Sequence, residues 1–287
     1  MGNENNILFT LASLLALWGL FVLASYVFKL QRLGLEVHPL YALYKSTRLN
    51  SFLERLGRLN PKFWRVIGNM SVTVALGEAA LVTLLLARNL FNLFYSPEEA
   101  LSVTPLIPGV TIRLFSLPGF LLSAGLAILL HEVAHGIQCV IEGIPIKSSA
   151  ILLAVVTFGG AVEPDERSIE EADTMSKLRV FASGSFINLV TGLTFLLLSI
   201  PLRGILPDSV YAFIDPTRLT FTSLSINLAL INMLPIYPLD GGQMLNAFLH
   251  PMQRVGSWVQ RIAMYGFLAL LLSNIALSLM RFGLISI

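Results

Sequence analysis

Long apolar runs are the feature that most restricts how this chain folds. About six are long enough to cross roughly 30 Å of hydrocarbon as helices. They lie near residues 7–28, 67–91, 117–141, 180–200, 219–249 and 258–281. The composition agrees, because 13% of the residues are charged, whereas soluble domains carry about 25%. The sequence therefore predicts an all-α polytopic membrane protein with about six transmembrane helices, the fifth interrupted by Pro235 and Pro238.

The basic residues between the first two runs predict the orientation. Residues 29–65 contain eight Lys or Arg against two acids, so the positive-inside rule makes this loop cytoplasmic. Alternation then puts the N-terminus outside and directs the third run from outside to inside. Residues 1–6 carry no basic residue, unlike a cleaved signal peptide. The net charge of +2 is too small to indicate a nucleic-acid partner, so the expected partners include membrane lipid and no nucleic acid.

The same loop has two open interpretations. Its basic residues either fix topology and contact anionic headgroups or bind a dedicated partner. Its aromatic residues suggest that parts of it lie at the membrane interface as short helices. These residues are Tyr41, Tyr44, Phe52, Phe63 and Trp64.

The motif HEVAH lies inside the third apolar run. Residues four apart share one helix face, so His131 and His135 can bind one metal ion, with Glu132 beside them as a general base. Two imidazoles and a carboxylate are costly in hydrocarbon, which favours a functional site. The alternatives are a chance motif or a polar pair satisfied by its neighbours.

A catalytic zinc ion usually has three protein ligands and a water, so the motif lacks one ligand. Asp240 is the best donor, because it lies at a similar depth to the HEVAH motif in the fifth run. Pro235 and Pro238 disturb that helix and could bend it to bring Asp240 to the metal. The alternative is an interfacial Asp240 that caps the helix following from Gln243.

Together, HEVAH and the later NMLPIYPLDGG resemble the site-2 protease family of intramembrane zinc metalloproteases. The resemblance covers about residues 117–249 and implies a three-helix catalytic core. Position by position, it makes His131, His135 and Asp240 the zinc ligands and Glu132 the catalytic base.

Two asparagines are further candidates. Gly184-Ser-Phe-Ile-Asn188 resembles a family motif in which Pro stands at the position of Ser185. By resemblance, Asn188 would be catalytic, orienting substrate or stabilising an oxyanion. The alternative is helix packing through Gly184, Asn188 and Gly192. For Asn232, the sequence leaves two roles open: it either stabilises the helix beside Pro235 or contacts substrate.

The insert after the HEVAH run is predicted to form a short membrane-dipping β element. Ala150–Phe158 is apolar but too short to span as a helix, and Gly159-Gly160 follows as a turn. This strand either pairs with an unwound substrate segment or only covers the cavity. The acidic residues that follow, Glu163 to Glu171, indicate a solvated cytoplasmic stretch.

The remaining polar candidates have structural explanations. Glu78, in the second run, is expected to have a partner in the bundle, rather than to form a gate or proton path. His38 and His250 lie in loop or interface settings and are not expected to be ligands. Cys139 is expected to be a packing residue, and a single cysteine excludes an internal disulfide.

We therefore predict an intramembrane zinc metalloprotease that hydrolyses transmembrane segments of substrate proteins, with its active site toward the cytoplasm. We expect two spans and the basic loop at 1–116, the protease core at 117–249 and a last span at 250–287. One alternative is a membrane zinc peptidase acting on soluble or extruded peptides, whose third ligand would be Glu163, Glu166, Glu170 or Glu171. The other is a metal transporter. The sequence does not indicate the substrate or the oligomeric state.

Overall fold

The computed structural model is mostly helical. It describes residues 16, 18–33, 35–38, 41–46, 48–107, 110–113, 116–154 and 158–284. The α-helices of this part are α1 (Trp18–Val27), α2 (Arg48–Leu59), α3 (Pro61–Tyr95), α4 (Leu117–Ile141), α5 (Glu166–Glu171), α6 (Thr174–Leu197), α7 (Ser199–Ile205), α8 (Asp208–Asn232), α9 (Asp240–Leu249) and α10 (Gln253–Phe282). Short 3-10 helices cover Leu30–Leu33, Pro97–Glu99 and His250–Met252.

Four helical segments are long and apolar enough to cross a membrane, which agrees with an integral membrane protein. They are Pro61–Tyr95, Leu117–Ile141, Thr174–Ile205 and Arg254–Phe282. They correspond to the second, third, fourth and sixth predicted runs, and the third has the predicted bounds. Of the first run, residues 7–15 and 17 lie outside the described residues. The total of six spans stays a prediction.

The fifth predicted run is divided between two helices. Helix α8 ends at Asn232 and α9 begins at Asp240, so the predicted interruption is confirmed. Pro235 and Pro238 fall in the gap, where each lacks the amide hydrogen that a continuing helix needs. Consequently, the acid proposed as a ligand begins a new helix.

A four-stranded antiparallel sheet packs beside the helices, so the short β element predicted after the third run belongs to a larger sheet than expected. Its strands are β1 (Leu35–Val37), β2 (Tyr41–Ser46), β3 (Ile146–Ala154) and β4 (Phe158–Pro164), in the order β1-β2-β3-β4. Strands β3 and β4 pair from Ile146 opposite Pro164 to Leu153 opposite Phe158. Within the sheet, β4 is an edge strand.

The sheet corrects two sequence expectations. Tyr41 and Tyr44 lie in β2, not in a short interfacial helix, because β2 pairs with β3 and Tyr41 lies opposite Ala154. That partner is more than 100 residues away, and local pattern carries no information about it. Gly159 and Gly160 also lie in a strand, β4, where we expected a turn. Residues 155–157, between the two strands, lie outside the described part.

The core surrounds the point where α9 begins. Small and apolar side chains from α3, α6, the segment before α9 and α9 itself pack together. They are Val72, Ala75, Leu178, Ala182, Met233, Met244 and Ala247. Cys139 is buried against Ile144 and Val180, which confirms the predicted packing role. This packing holds α9 against α6.

Candidate metal centre

The two histidines of HEVAH lie on α4, well inside the helix bundle. Helix α4 ends at Ile141, so a rise of 1.5 Å per residue puts His135 and His131 about 9 and 15 Å from its end. Both side chains are buried, at 5% exposure for His131 and 9% for His135. Their Nε2 atoms are 3.0 Å apart, so both rings direct the same nitrogen to one point.

Asp240 completes the group from the other side of the bundle. Its Oδ2 lies 3.1 Å from Nε2 of His131 and 3.4 Å from Nε2 of His135. Within the described residues, these three form the one cluster of His, Cys, Asp or Glu whose ligand atoms could hold a metal ion. Helix α9 begins at Asp240 with Leu239 as its N-cap and no side-chain capping bond. The carboxylate therefore faces the histidines and is not a helix cap.

The spacing of the three ligand atoms fits a zinc ion. Tetrahedral sites with bonds of about 2.0–2.1 Å have ligand atoms about 3.3 Å apart. The measured separations of 3.0, 3.1 and 3.4 Å bracket that value. Oδ2 of Asp240 is buried and has no hydrogen-bond partner in the described residues, as expected for an atom reserved for a cation. Two imidazoles and one carboxylate are also a donor set that zinc accepts.

The ring of His135 is held in the tautomer that a metal ligand needs. Its Nδ1 lies 2.7 Å from the carbonyl oxygen of Val180 on α6. A carbonyl oxygen only accepts, so Nδ1 carries the hydrogen and donates it. The lone pair of Nε2 is therefore free for a cation, an arrangement typical of metal-binding histidines.

Asn188 contacts the ring of His131 on the side opposite its Nε2 atom. It is fully buried on α6, and its side-chain nitrogen Nδ2 lies 3.1 Å from Nδ1 of His131. The two ends of an amide have the same shape, so a half-turn places Oδ1 there to accept a hydrogen from Nδ1. Oδ1 of Asn188 has no other partner among the described residues. Asn232, at the end of α8, has its Nδ2 3.2 Å from Nε2 of His131.

Gly184 allows α6 to approach the two imidazoles. A Cβ at this position would lie 2.6 Å from Cε1 and Nε2 of His131, and closer still to Nε2 of His135. No real side chain tolerates such contacts. The sequence motif placed Gly184 near Asn188 but did not predict that it faces the metal ligands.

Glu132 points to the edge of the sheet. Its Oε2 accepts a hydrogen bond of 2.7 Å from the backbone amide of Val162 in β4. Glu132, His135 and Asp240 line a cavity of about 730 Å³ that Val162 also borders. The general-base candidate, two metal-ligand candidates and an edge strand therefore share one space.

The outer part of this cavity is polar. Glu163, Glu166 and Glu170 border it together with Lys177 and His250. None of the acids joins the ligand cluster of the described residues. Next to this region, the hydroxyl and amide of Ser168 hold the pKa of Asp165 below its usual value. The cavity therefore connects the metal-ligand candidates to a polar opening.

The other sequence candidates are not members of the ligand cluster found in the described residues. Neither His38 nor His250 belongs to that cluster, and His250 borders the outer part of the cavity. Glu78 is 3% exposed on α3, and its carboxylate oxygens accept no hydrogen bond from the described residues. The partner expected for it is therefore not found in that part of the chain.

Two backbone groups that contact the site residues could not be predicted from the sequence. The carbonyl of Val180 and the amide of Val162 contact His135 and Glu132, respectively. Every residue carries these groups, so no residue type identifies them. Only the packing of α6 and β4 against α4 selects them.

Comparisons with known proteins agree with this geometry. The model of peptidase family M50 matches residues 119–224 and 207–274, together more than half of the chain. The chain is 24% identical over 151 residues to a membrane-bound transcription factor site-2 protease homolog of Arabidopsis thaliana, covering 51% of this chain and 29% of that protein. It is 26% identical over 156 residues to Rip3 of Mycobacterium tuberculosis, whose name describes a zinc metalloprotease, covering 52% and 37%. The chain thus spans about a third of the length of these relatives.

Apolar helices around a cluster of two histidines and an aspartate define a membrane zinc metalloprotease. The chain belongs to peptidase family M50, the site-2 protease family. This confirms the resemblance that HEVAH and NMLPIYPLDGG indicated.

Proposed function

We propose that this chain cleaves peptide bonds within membrane-spanning segments of substrate proteins. His131, His135 and Asp240 hold the zinc ion, and Glu132 is the general base. The observation that carries the proposal is the convergence of the three ligand atoms inside the helix bundle, on helices that are joined only through tertiary packing. A site at that depth is accessible to a peptide bond that enters from the bilayer.

The chemistry follows from the residues that line the cavity. When bound, zinc supplies an activated water and polarises the scissile carbonyl. Glu132 accepts a proton from the attacking water and passes it to the nitrogen of the departing amine. Val162 holds the carboxylate of Glu132 through its amide, in a charge-assisted hydrogen bond. Water enters from the polar side of the cavity.

The edge of β4 that borders the cavity is the surface to which we assign the unwound substrate. Alternate residues of an edge strand direct their backbone groups away from the sheet. The amide of Val162 faces Glu132, so Gly160 and Pro164, two residues to either side, face the same way. Pro164 lacks an amide, which is tolerated at an edge. A substrate strand added here would lie beside the base and the metal ligands.

Asn188 has a positioning role in this proposal. Its amide lies behind the ring of His131, on the side opposite the ligand nitrogen. Support of this kind typically changes metal affinity by about 10- to 100-fold. We therefore expect Asn188→Ala to lose zinc more readily than wild type in a chelator titration, at an unchanged melting temperature.

The orientation and domain division complete the proposal. The basic loop at 29–65 supports a cytoplasmic position for the N-terminal ends of α3 and α6, and hence for the polar opening of the cavity. The N-terminus then lies outside. Residues 117–249 supply the catalytic residues, with 1–116 and 250–287 as flanking segments.

The decisive experiment uses single-span substrates in detergent with purified full-length protein. Wild type should cleave and should lose activity with a chelator, whereas Glu132→Gln should retain zinc and cleave nothing. Asp240→Ala should lose zinc, while the matched Asp208→Ala, at the first residue of α8, should retain it. Cleavage by Glu132→Gln, or full zinc in Asp240→Ala, would refute the assignments. Zinc loss in a variant of Glu163, Glu166, Glu170 or Glu171 would favour the peptidase alternative.

A further inference from the structure

The outward surface of α2 and the first turn of α3 combines basic and apolar side chains. Arg55, Arg58 and Lys62 are exposed, and Phe52 and Leu59 are 53% and 73% exposed. We call these five residues the α2 surface. The acid on the helix, Glu54, lies 3.4 Å from Arg58 and neutralises only one of the three charges.

The arrangement on the helix is that of an interfacial amphipathic segment. Arg55 and Arg58 are three residues apart and share one face, while Phe52 and Leu59 are seven apart and share the adjacent flank. Helix α3 begins at Pro61 and is long and apolar enough to span the membrane, so α2 lies where the bilayer begins. Apolar side chains beside basic ones at that depth suit acyl chains and anionic headgroups, respectively.

The inward face of α2 packs on the helix that carries both histidines. Leu53 is fully buried, and its Cδ1 lies 2.5 Å from where a Cβ on Gly136 would be. Gly136 directly follows His135 in the sequence. One turn further along the arrangement is reversed: the glycine, Gly57, is on α2, and the side chain of Val140 on α4 lies 3.0 Å from where its Cβ would be. The contact between α2 and α4 therefore reaches the metal-ligand candidates.

Hydrogen bonds connect α2 to the other parts of the site. The Nδ2 of Asn50 donates to the carbonyl of Ile146, where β3 begins, at 3.1 Å. The Nε2 of Gln138 on α4 donates to the carbonyl of Trp64 at 2.8 Å, and Trp64 in turn donates to the carbonyl of Leu56 on α2 at 3.0 Å. A displacement of α2 would therefore disturb hydrogen bonds to the sheet and, through Trp64, to α4.

We propose that the α2 surface binds anionic phospholipid headgroups of the membrane, and that this contact seats Leu53 against Gly136 and keeps α4 in its active position. Charge complementarity identifies the occupant, because the surface carries excess positive charge at the membrane boundary. The inference rests on the proposed function only for its activity measurement; lipid binding is measured separately.

The binding measurement is hydrogen exchange of the full chain in nanodiscs. Phosphatidylcholine discs are compared with discs that also contain phosphatidylglycerol. A basic residue near an anionic surface changes affinity by about fivefold, so amides of α2 should exchange at least about fivefold more slowly in the anionic discs. The variant Arg55→Gln/Arg58→Gln should lose this protection. The matched variant Arg254→Gln/Arg261→Gln, with two exposed arginines removed from α10, should keep it.

Two further results separate the possible outcomes. Soluble glycerol phosphate should give no protection; protection by it would identify a free-anion site and overturn the lipid assignment. Equal protection of wild type and Arg55→Gln/Arg58→Gln would also overturn it. A lack of cleavage in every disc, with intact lipid-dependent protection, would refute the proposed function and leave the lipid site standing.

The activity measurement tests the link to the metal site. Phosphatidylglycerol should raise cleavage by wild type and by the α10 variant. Arg55→Gln/Arg58→Gln should show only the rate seen in phosphatidylcholine. Leu53→Ala should keep the lipid-dependent protection of α2 and lose the gain in cleavage. If Leu53→Ala retains the full gain, the contact with Gly136 does not transmit the effect.

Discussion

Gly184→Ala should impair zinc binding and cleavage without unfolding the protein. Its Cβ would lie 2.6 Å from two ring atoms of His131 and closer to Nε2 of His135. Ordinary contacts begin near 3.4 Å, so the helix and the rings must separate by nearly 1 Å. His135 cannot simply rotate away, because its Nδ1 donates to the carbonyl of Val180.

The size of the effect follows from that displacement. A misplacement of about 1 Å costs on the order of 100-fold in rate, and metal sites tolerate only about 0.2 Å in ligand distance. Alanine is otherwise favoured over glycine within a helix by about 1 kcal/mol, which offsets part of the packing cost. We therefore expect a fall of about 100-fold in kcat/KM, together with reduced zinc content.

The assay compares cleavage of a single-span substrate, zinc content by mass spectrometry and melting temperature. Two glycine variants serve as controls. Gly125→Ala lies on α4 and Gly266→Ala lies on α10, and each has open space around its Cβ. Both should bind zinc and cleave normally. If Gly184→Ala does the same, the close approach of α6 to the imidazoles is not required.

Three other substitutions test separate parts of the structure. Val162→Pro removes the backbone amide hydrogen that Val162 donates to Glu132. Because hydrogen bonds to charged groups contribute about 1.5–3 kcal/mol, kcat/KM should fall at least about tenfold. An unchanged kcat/KM would contradict the role of Val162 in positioning Glu132. Glu78→Leu replaces a buried acid that has no hydrogen-bond partner in the described residues, so the melting temperature should stay the same or rise. If the variant instead retains zinc but loses cleavage, Glu78 has a role in catalysis. Asp173 caps α6, and hydrogen bonds from Ser176 lower its pKa below the usual value. Its stabilisation is thus complete above about pH 4 and lost as pH falls through the lowered pKa, so Asp173→Ala should melt below wild type at pH 7, with a gap that closes in acid.

Local patterns were sufficient for the parts of the fold that depend on nearby residues. The bounds of α4 follow from its apolar run, and Pro235 and Pro238 predicted the break before Asp240. Strands β1 and β2 were missed: β1 pairs only with the nearby β2, and β2 also pairs with β3, about 100 residues further along the chain. A short strand within a basic loop has no periodic signal strong enough to distinguish it from a helix.

The candidate metal centre also has one part that local sequence predicts and another that it does not. The spacing of His131 and His135 alone predicts that both share a helix face, and the family motif named Asp240 as their companion. The sequence does not predict which atoms hold these side chains in place. Only the packing of helices and strands brings three supporting groups to the site. These are the carbonyl of Val180, the amide of Val162 and the side chain of Leu53.

Hydrophobicity and helical periodicity act between neighbours in the chain, so the sequence by itself determined the membrane class, the main helices and the paired histidines. The tertiary structure decided the rest: that Oδ2 of Asp240 lies 3.1 Å from His131, and that Asn188 lies behind the ring. These contacts join residues 109 and 57 positions apart, where 240 − 131 and 188 − 131 give the separations. Over such distances, only the packing of complete helices determines which atoms meet.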